Sequence, residues 1–183
     1  MVARGRDWTR EAVTRYRDWI DGFCQGLRDR GVARDCADLA IDSVITFARD
    51  NRLHFEFTWP AQGVTKSEED FPTYDQFNSY LRRNAGAQNL ADRQNTRLLG
   101  AEGKGAGDLL IYNWRGTSTW HTVIYISDQK LWKGNEDVTN RPVIPEPITV
   151  QGSATTQYTI LYYLNHSDMV GGSARRWRIF HRF

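Results

Sequence analysis

The sequence predicts an α+β fold in which helices come first and a mostly antiparallel sheet follows. Apolar residues recur at steps of three and four through the first half of the chain, the period of a helix with one buried face. Through the second half, short β-branched or aromatic runs are separated by turn residues. The two patterns are segregated along the chain and do not alternate as the βαβ units that build parallel sheets. With 183 residues, 40% apolar and 13% aromatic, the chain can bury one full core. A single domain is expected, its helical part spanning about residues 7–100 and its sheet part about 107–183.

Thr9 is placed to cap a first helix carrying Val13, Tyr16, Ile20, Phe23 and Leu27, and Gly31 falls where a helix C-terminal glycine is expected. Cys24 lies beside that stripe and reads as a small buried apolar side chain. Asp35 caps a second helix with Ala37, Ala40, Ile41, Val44 and Ala48 on one face, which puts Cys36 in its first turn. Leu53 to Trp59 reads as extended, Gly63 to Asp70 as a polar loop, and Thr73 as the cap of a third helix bearing Tyr74, Phe77 and Leu81. Ala87 to Leu99 reads as helical. Beyond the glycines near 103–107, strands are expected at Leu109–Tyr112, Thr122–Ile126, Lys130–Lys133, Gln157–Leu164 and Arg176–Phe183. Pro142, Pro145 and Pro147 mark a connecting loop.

Composition excludes several functions. Twenty-four basic against 22 acidic residues leave a formal +2, without the basic excess of a nucleic-acid-binding protein. No apolar run reaches the length of a membrane span. The charged N-terminus is not followed by an apolar stretch, so no secretory signal is expected and export would need another route. His-Glu-x-x-His, Cys-x-x-Cys and Gly-x-Ser-x-Gly are all absent, and the glycines at 103, 105 and 107 precede a strand where a phosphate loop would open a helix. Neither metal nor cofactor is expected.

Cys36 is the candidate nucleophile. In the first turn of a helix, unpaired backbone N–H groups and the positive end of the helix dipole favour a thiolate and can hold an oxyanion, although Asp35 opposes a second negative charge. His121, at the head of an alternating strand, is the candidate partner, because imidazole exchanges a proton near neutrality and its ring can be presented to a helix packed across the sheet.

Three short motifs in one order carry a resemblance. Asp35-Cys36-Ala37-Asp38-Leu39 resembles the Asp-Cys-Ser-Gly-Leu that opens the catalytic helix of NlpC-like cell-wall peptidases. Gly107-Asp108-Leu109-Leu110-Ile111-Tyr112 resembles their Pro-Gly-Asp-Leu strand, and His121-Thr122-Val123-Ile124-Tyr125-Ile126 their His-Val-Gly-Ile-Tyr-Ile strand. CHAP-like amidases share the same cysteine helix and histidine strand. Ala37 and Asp38 depart from the pattern, and the interval from cysteine to histidine is longer than is common in the family. The resemblance implies a papain-like fold and hydrolysis of amide bonds, with bacterial peptidoglycan stem peptides as substrate. It places the third catalytic residue after the histidine strand. There the nearest register falls on Lys133, which cannot accept an N–H; Asn135 is preferred and Asp137 is the alternative.

Asp128 reads as a hairpin-turn residue, His166 as a turn residue closing a strand, and His181 as a core-edge residue sharing a strand face with Trp177, Ile179 and Phe183, while His54 is a further candidate. Arg176 and Arg178, with Arg175 and Arg182 nearby, form a basic stripe that could anchor an anionic substrate or partner, and Trp120 is a candidate contact beside His121. The expected setting is a bacterial toxin domain delivered by a secretion apparatus, with a cognate immunity protein as partner. Rival readings keep the pair but cleave a cytosolic protein, transfer an acyl group or deamidate. One further rival dispenses with catalysis and makes the chain a binding domain.

Overall fold

The computed structural model describes residues 1–99, 103–114, 118–134, 142–149 and 169–180. Helix α1, Arg10–Asp29, opens as expected: the Thr9 hydroxyl accepts the Ala12 N–H at 3.1 Å. It closes on Gly31 at φ +65°, where Gly31 N–H reaches the Arg28 carbonyl and Val32 N–H reaches Leu27, both at 2.9 Å. Helix α2, Cys36–Asn51, is capped by the Asp35 carboxylate on the Asp38 N–H at 2.6 Å. It is buried on nearly every side, so it forms the spine of the helical layer. Its end is turned by Arg52 at φ +53°, with Leu53 N–H bonding back to the Ala48 carbonyl at 2.8 Å.

The segment expected to be a polar loop is ordered by pairing. Strands β1 (Glu56–Trp59) and β2 (Val64–Ser67) form an antiparallel hairpin, followed by a 3-10 turn, Glu68–Asp70, anchored by the fully buried Glu68. Helix α3, Tyr74–Asn84, starts at Thr73 and buries Phe77 and Leu81, as its spacing predicts. The helix expected over Ala87–Leu99 is cut short. Only Ala87–Leu90 is helical (α4), and Thr96–Leu98 is strand β3. The cause is a long-range hydrogen-bond set: the Asn95 side chain accepts the Thr58 N–H and donates to the carbonyls of Thr58 and Asn89, at 2.7 to 2.9 Å.

Strands β4 (Leu109–Trp114), β5 (Trp120–Ser127), β6 (Lys130–Lys133), β7 (Glu146–Thr149) and β8 (Met169–Trp177) complete the sheet. Its order is β3-β8-β4-β5-β6-β7 and every pairing is antiparallel. Two expectations change. The proline-rich segment contributes β7, where Pro147 is tolerated because the strand lies at the edge of the described sheet. The C-terminal strand lies earlier than expected and ends at Trp177; Arg178–Phe180 is a 3-10 turn that buries Phe180. Gln157–Leu164 lies outside the described residues.

Side chains alternate between two cores. Leu109, Ile111, Ile124, Trp132 and Trp177 face the helices, with Trp120 and Ile126 packed at the margin. Leu110, Tyr112, Val123, Tyr125, Leu131 and Ile148 form a second cluster on the opposite face. Helix α1 is tied to the sheet through Asp21, which accepts the Trp132 indole N–H at 2.6 Å and pairs with Lys130 at 2.7 Å. No helix among the described residues is long and apolar enough to cross a membrane.

Candidate functional site

Backbone packing fixes the start of α2 against the sheet. Arg34 exchanges two hydrogen bonds with Val143, at 2.8 and 3.1 Å, so the residue before the cap is held like a strand. Gly134, just after β6, lies under the cap itself. A methyl group there would stand 2.5 Å from the Asp35 carbonyl oxygen and 2.9 Å from the Cys36 nitrogen, so only glycine permits this approach.

The backbone N–H groups of Thr122, Ala37 and Cys36 itself favour the charged form of the Cys36 sulfur. Thr122 directly follows His121, so the start of α2 lies against β5 one residue from the candidate base. The expected orientation of the ring is corrected. His121 stands opposite Tyr112 in the β4–β5 register and stacks on it, ring centroids 5.6 Å apart and planes 24° from parallel. Tyr112 belongs to the cluster on the far face, so the His121 ring leaves β5 on the face away from the helices. The period of two decides this: Thr122, not His121, points at the helical layer.

Burial also reverses one electrostatic expectation. Cys36 is only 6% exposed, and loss of solvent pushes its thiol up to about 11 against the opposing pull of those backbone N–H groups, with Asp35 pushing the same way as burial. At neutral pH the sulfur keeps its proton until a base removes it. Beside it lies a carboxylate cluster that sequence reading missed, although the departure at Asp38 was its signal. Burial, reinforced by Asp35, raises Asp38 to about 7 against the pull of Arg82, whose guanidinium is 3.5 Å away. Asp42 is held by Arg34, and Arg82 stands 3.9 Å from it. Asp38 Oδ1 and Asp42 Oδ1 are buried with no hydrogen-bond partner among the described residues.

The remaining candidates divide clearly. Asn135 and Asp137 lie outside the described residues, as do His166, His181 and Arg182. Arg176 is no surface anchor: it is buried and clasps Asp108 through two bonds, 2.9 and 2.8 Å, with Asp108 also accepting the Gly105 N–H at 2.7 Å. The Gly-Asp motif thus serves the fold, and Arg175 is likewise turned inward onto Thr96 at 2.7 Å. Arg178 is exposed on the 3-10 turn, and Trp120 is half-buried against the helix-side core. Asp128 occupies the hairpin turn, accepting the Tyr125 hydroxyl at 2.8 Å. Cys24 is buried and burial raises its thiol, in keeping with an apolar role.

No group of three or more His, Cys, Asp or Glu side chains among the described residues is placed to hold a metal ion. Compared with family models, with curated proteins and with solved structures, the chain matches none of them.

Proposed function

We propose that this chain is a papain-like thiol hydrolase of amide bonds, with Cys36 as nucleophile and His121 as its base. The observation that carries the reading is Cys36 as the first residue of α2, where helix-start N–H groups and that of Thr122, the residue after His121, favour a thiolate. In the first half-reaction the His121 ring, which must leave its stack on Tyr112 to reach the sulfur, takes the thiol proton, and the sulfur attacks the amide carbonyl carbon. The oxyanion is held by helix-start N–H groups, the C–N bond breaks, and the imidazolium gives its proton to the leaving amine. Water then loses a proton to His121 as its oxygen attacks the thioester carbon, the C–S bond breaks to release the carboxylic product, and the sulfur takes the proton back from the imidazolium. The proposed substrate is the stem peptide of bacterial peptidoglycan, met by a delivered toxin domain whose producer carries an immunity protein.

Purified chain incubated with isolated peptidoglycan should release fragments with new amine termini by mass spectrometry, and expression should lyse cells only when the chain is exported. Cys36→Ala and His121→Ala should each lower the rate at least about 10³-fold. Cytosolic toxicity with intact peptidoglycan would redirect the same chemistry to a protein substrate. A second reading, a non-enzymatic binding domain, is favoured by the burial of Cys36 and the far-face His121 ring. A Cys36→Ala chain with undiminished biological effect would establish that reading and exclude every thiol mechanism.

A further inference from the structure

A cavity of about 270 Å³ lies away from Cys36, where four distant segments meet: residues 4–8, 54–56, 94–95 and 177–179. Its floor is apolar, formed by Trp8, Phe55 and Trp177, each nearly buried. His54 stands in its wall with a side chain only 14% exposed. One face of that ring is spent internally, since Nδ1 lies 2.9 Å from the fully buried carboxylate of Glu68. The carboxylate also accepts the N–H groups of Gly5 at 2.9 Å and Phe55 at 3.0 Å, so its capacity is used inside the protein. The carboxylate accepts Nδ1–H and fixes the ring, and Nε2 is a second donor when the ring is protonated, the form that the neighbouring Glu68 carboxylate favours. Arg4, from the start of the chain, and Arg178, from near its end, reach the same cavity.

We infer that this cavity binds a small ligand that carries a carboxylate or phosphate on a flat apolar body. The oxyanion lies between His54 Nε2 and the guanidinium of Arg4, and the apolar body rests on Trp8 and Trp177. Three exposed carboxylates compete for those cations. Glu56 stands 3.7 Å from Nε2, beyond hydrogen-bond reach, while Asp7 lies 3.3 Å and Glu69 3.8 Å from Arg4. All three can swing outward when the ligand arrives. The size also fits: a single substituted ring fills a space of this volume, whereas a folded peptide does not. This inference is independent of the thiol chemistry.

The test is a titration of the full chain followed through the indole N–H resonances of Trp8 and Trp177 by NMR, with phenyl phosphate, benzoate, inorganic phosphate and benzylammonium as probes. Saturable shifts are expected with phenyl phosphate or benzoate, whichever is tighter naming the anionic group, and weaker ones with inorganic phosphate. Arg4→Gln should weaken binding about tenfold, while Glu56→Gln should strengthen it about threefold by removing the competitor. Both side chains are exposed, so neither change endangers the fold. Absence of saturable shifts, a preference for benzylammonium, or affinity unmoved by both substitutions would overturn the assignment.

Discussion

Gly134 is the residue on which the candidate site most depends and which sequence reading did not single out. Its missing side chain lets the end of β6 touch the cap of α2, and so sets the depth at which Cys36 meets β5. Gly134→Ala should push the start of α2 off the sheet, lower the melting temperature and speed alkylation of Cys36 by iodoacetamide; an unchanged labelling rate would refute this role. The contrasting glycine is Gly22, inside α1 with nothing within 4 Å of the methyl group it lacks. There Gly22→Ala should stabilise the fold by about 0.5–1 kcal/mol in urea titration, through helix propensity and a less flexible unfolded chain. Nothing in either local sequence separates the two, because the difference is what lies across the gap.

At the scale of elements, β8 carries the central hazard, a buried arginine in a strand. Arg176 is tolerated because Asp108, at the head of β4, satisfies it with two bonds in a site where the carboxylate is 1% exposed. Arg176→Met should cost about 3–5 kcal/mol by leaving Asp108 buried and uncompensated, and the added change Asp108→Leu should recover a large part of that loss. Equal destabilisation in the single and double variants would show that the pair is not coupled. The elements that the sequence located well are those whose signals are local: the caps Thr9, Asp35 and Thr73, the stripe of α1, and the span of β6. The misjudged ones, β2, β3, β7 and the end of β8, depend on partners far along the chain. Asn95 bonds Thr58, Thr96 bonds Arg175, and β7 exists by pairing with β6.

At the scale of the whole molecule, buried ionisable groups set the pH response. Asp38, raised to about 7, favours folding in its protonated form, so its contribution is full below its ordinary value near 4 and is lost as pH rises through 7. His54, raised by the hydrogen bond to Glu68, contributes below its ordinary value and loses that contribution as pH rises through its higher folded value. Glu68 is shifted oppositely: burial alone would raise it, but His54 and the backbone donors outweigh burial and lower it, so its contribution is lost only in acid. The melting temperature should therefore fall between pH 5 and pH 8, and Asp38→Asn should flatten that slope. An unaltered slope in the variant would rule out Asp38 as its source.

The sequence by itself determined the order of helices before sheet, the placement of Cys36 in the first turn of α2, and His121 near the head of β5. Period, capping and turn chemistry act over a few residues and are written where they act. Only the tertiary structure decided that burial raises the Cys36 thiol, that the His121 ring leaves by the far face of the sheet, and that Arg176 serves Asp108 and not solvent. Each of those outcomes depends on desolvation, on strand register or on a partner dozens of residues away. Such quantities exist only once the chain has closed on itself.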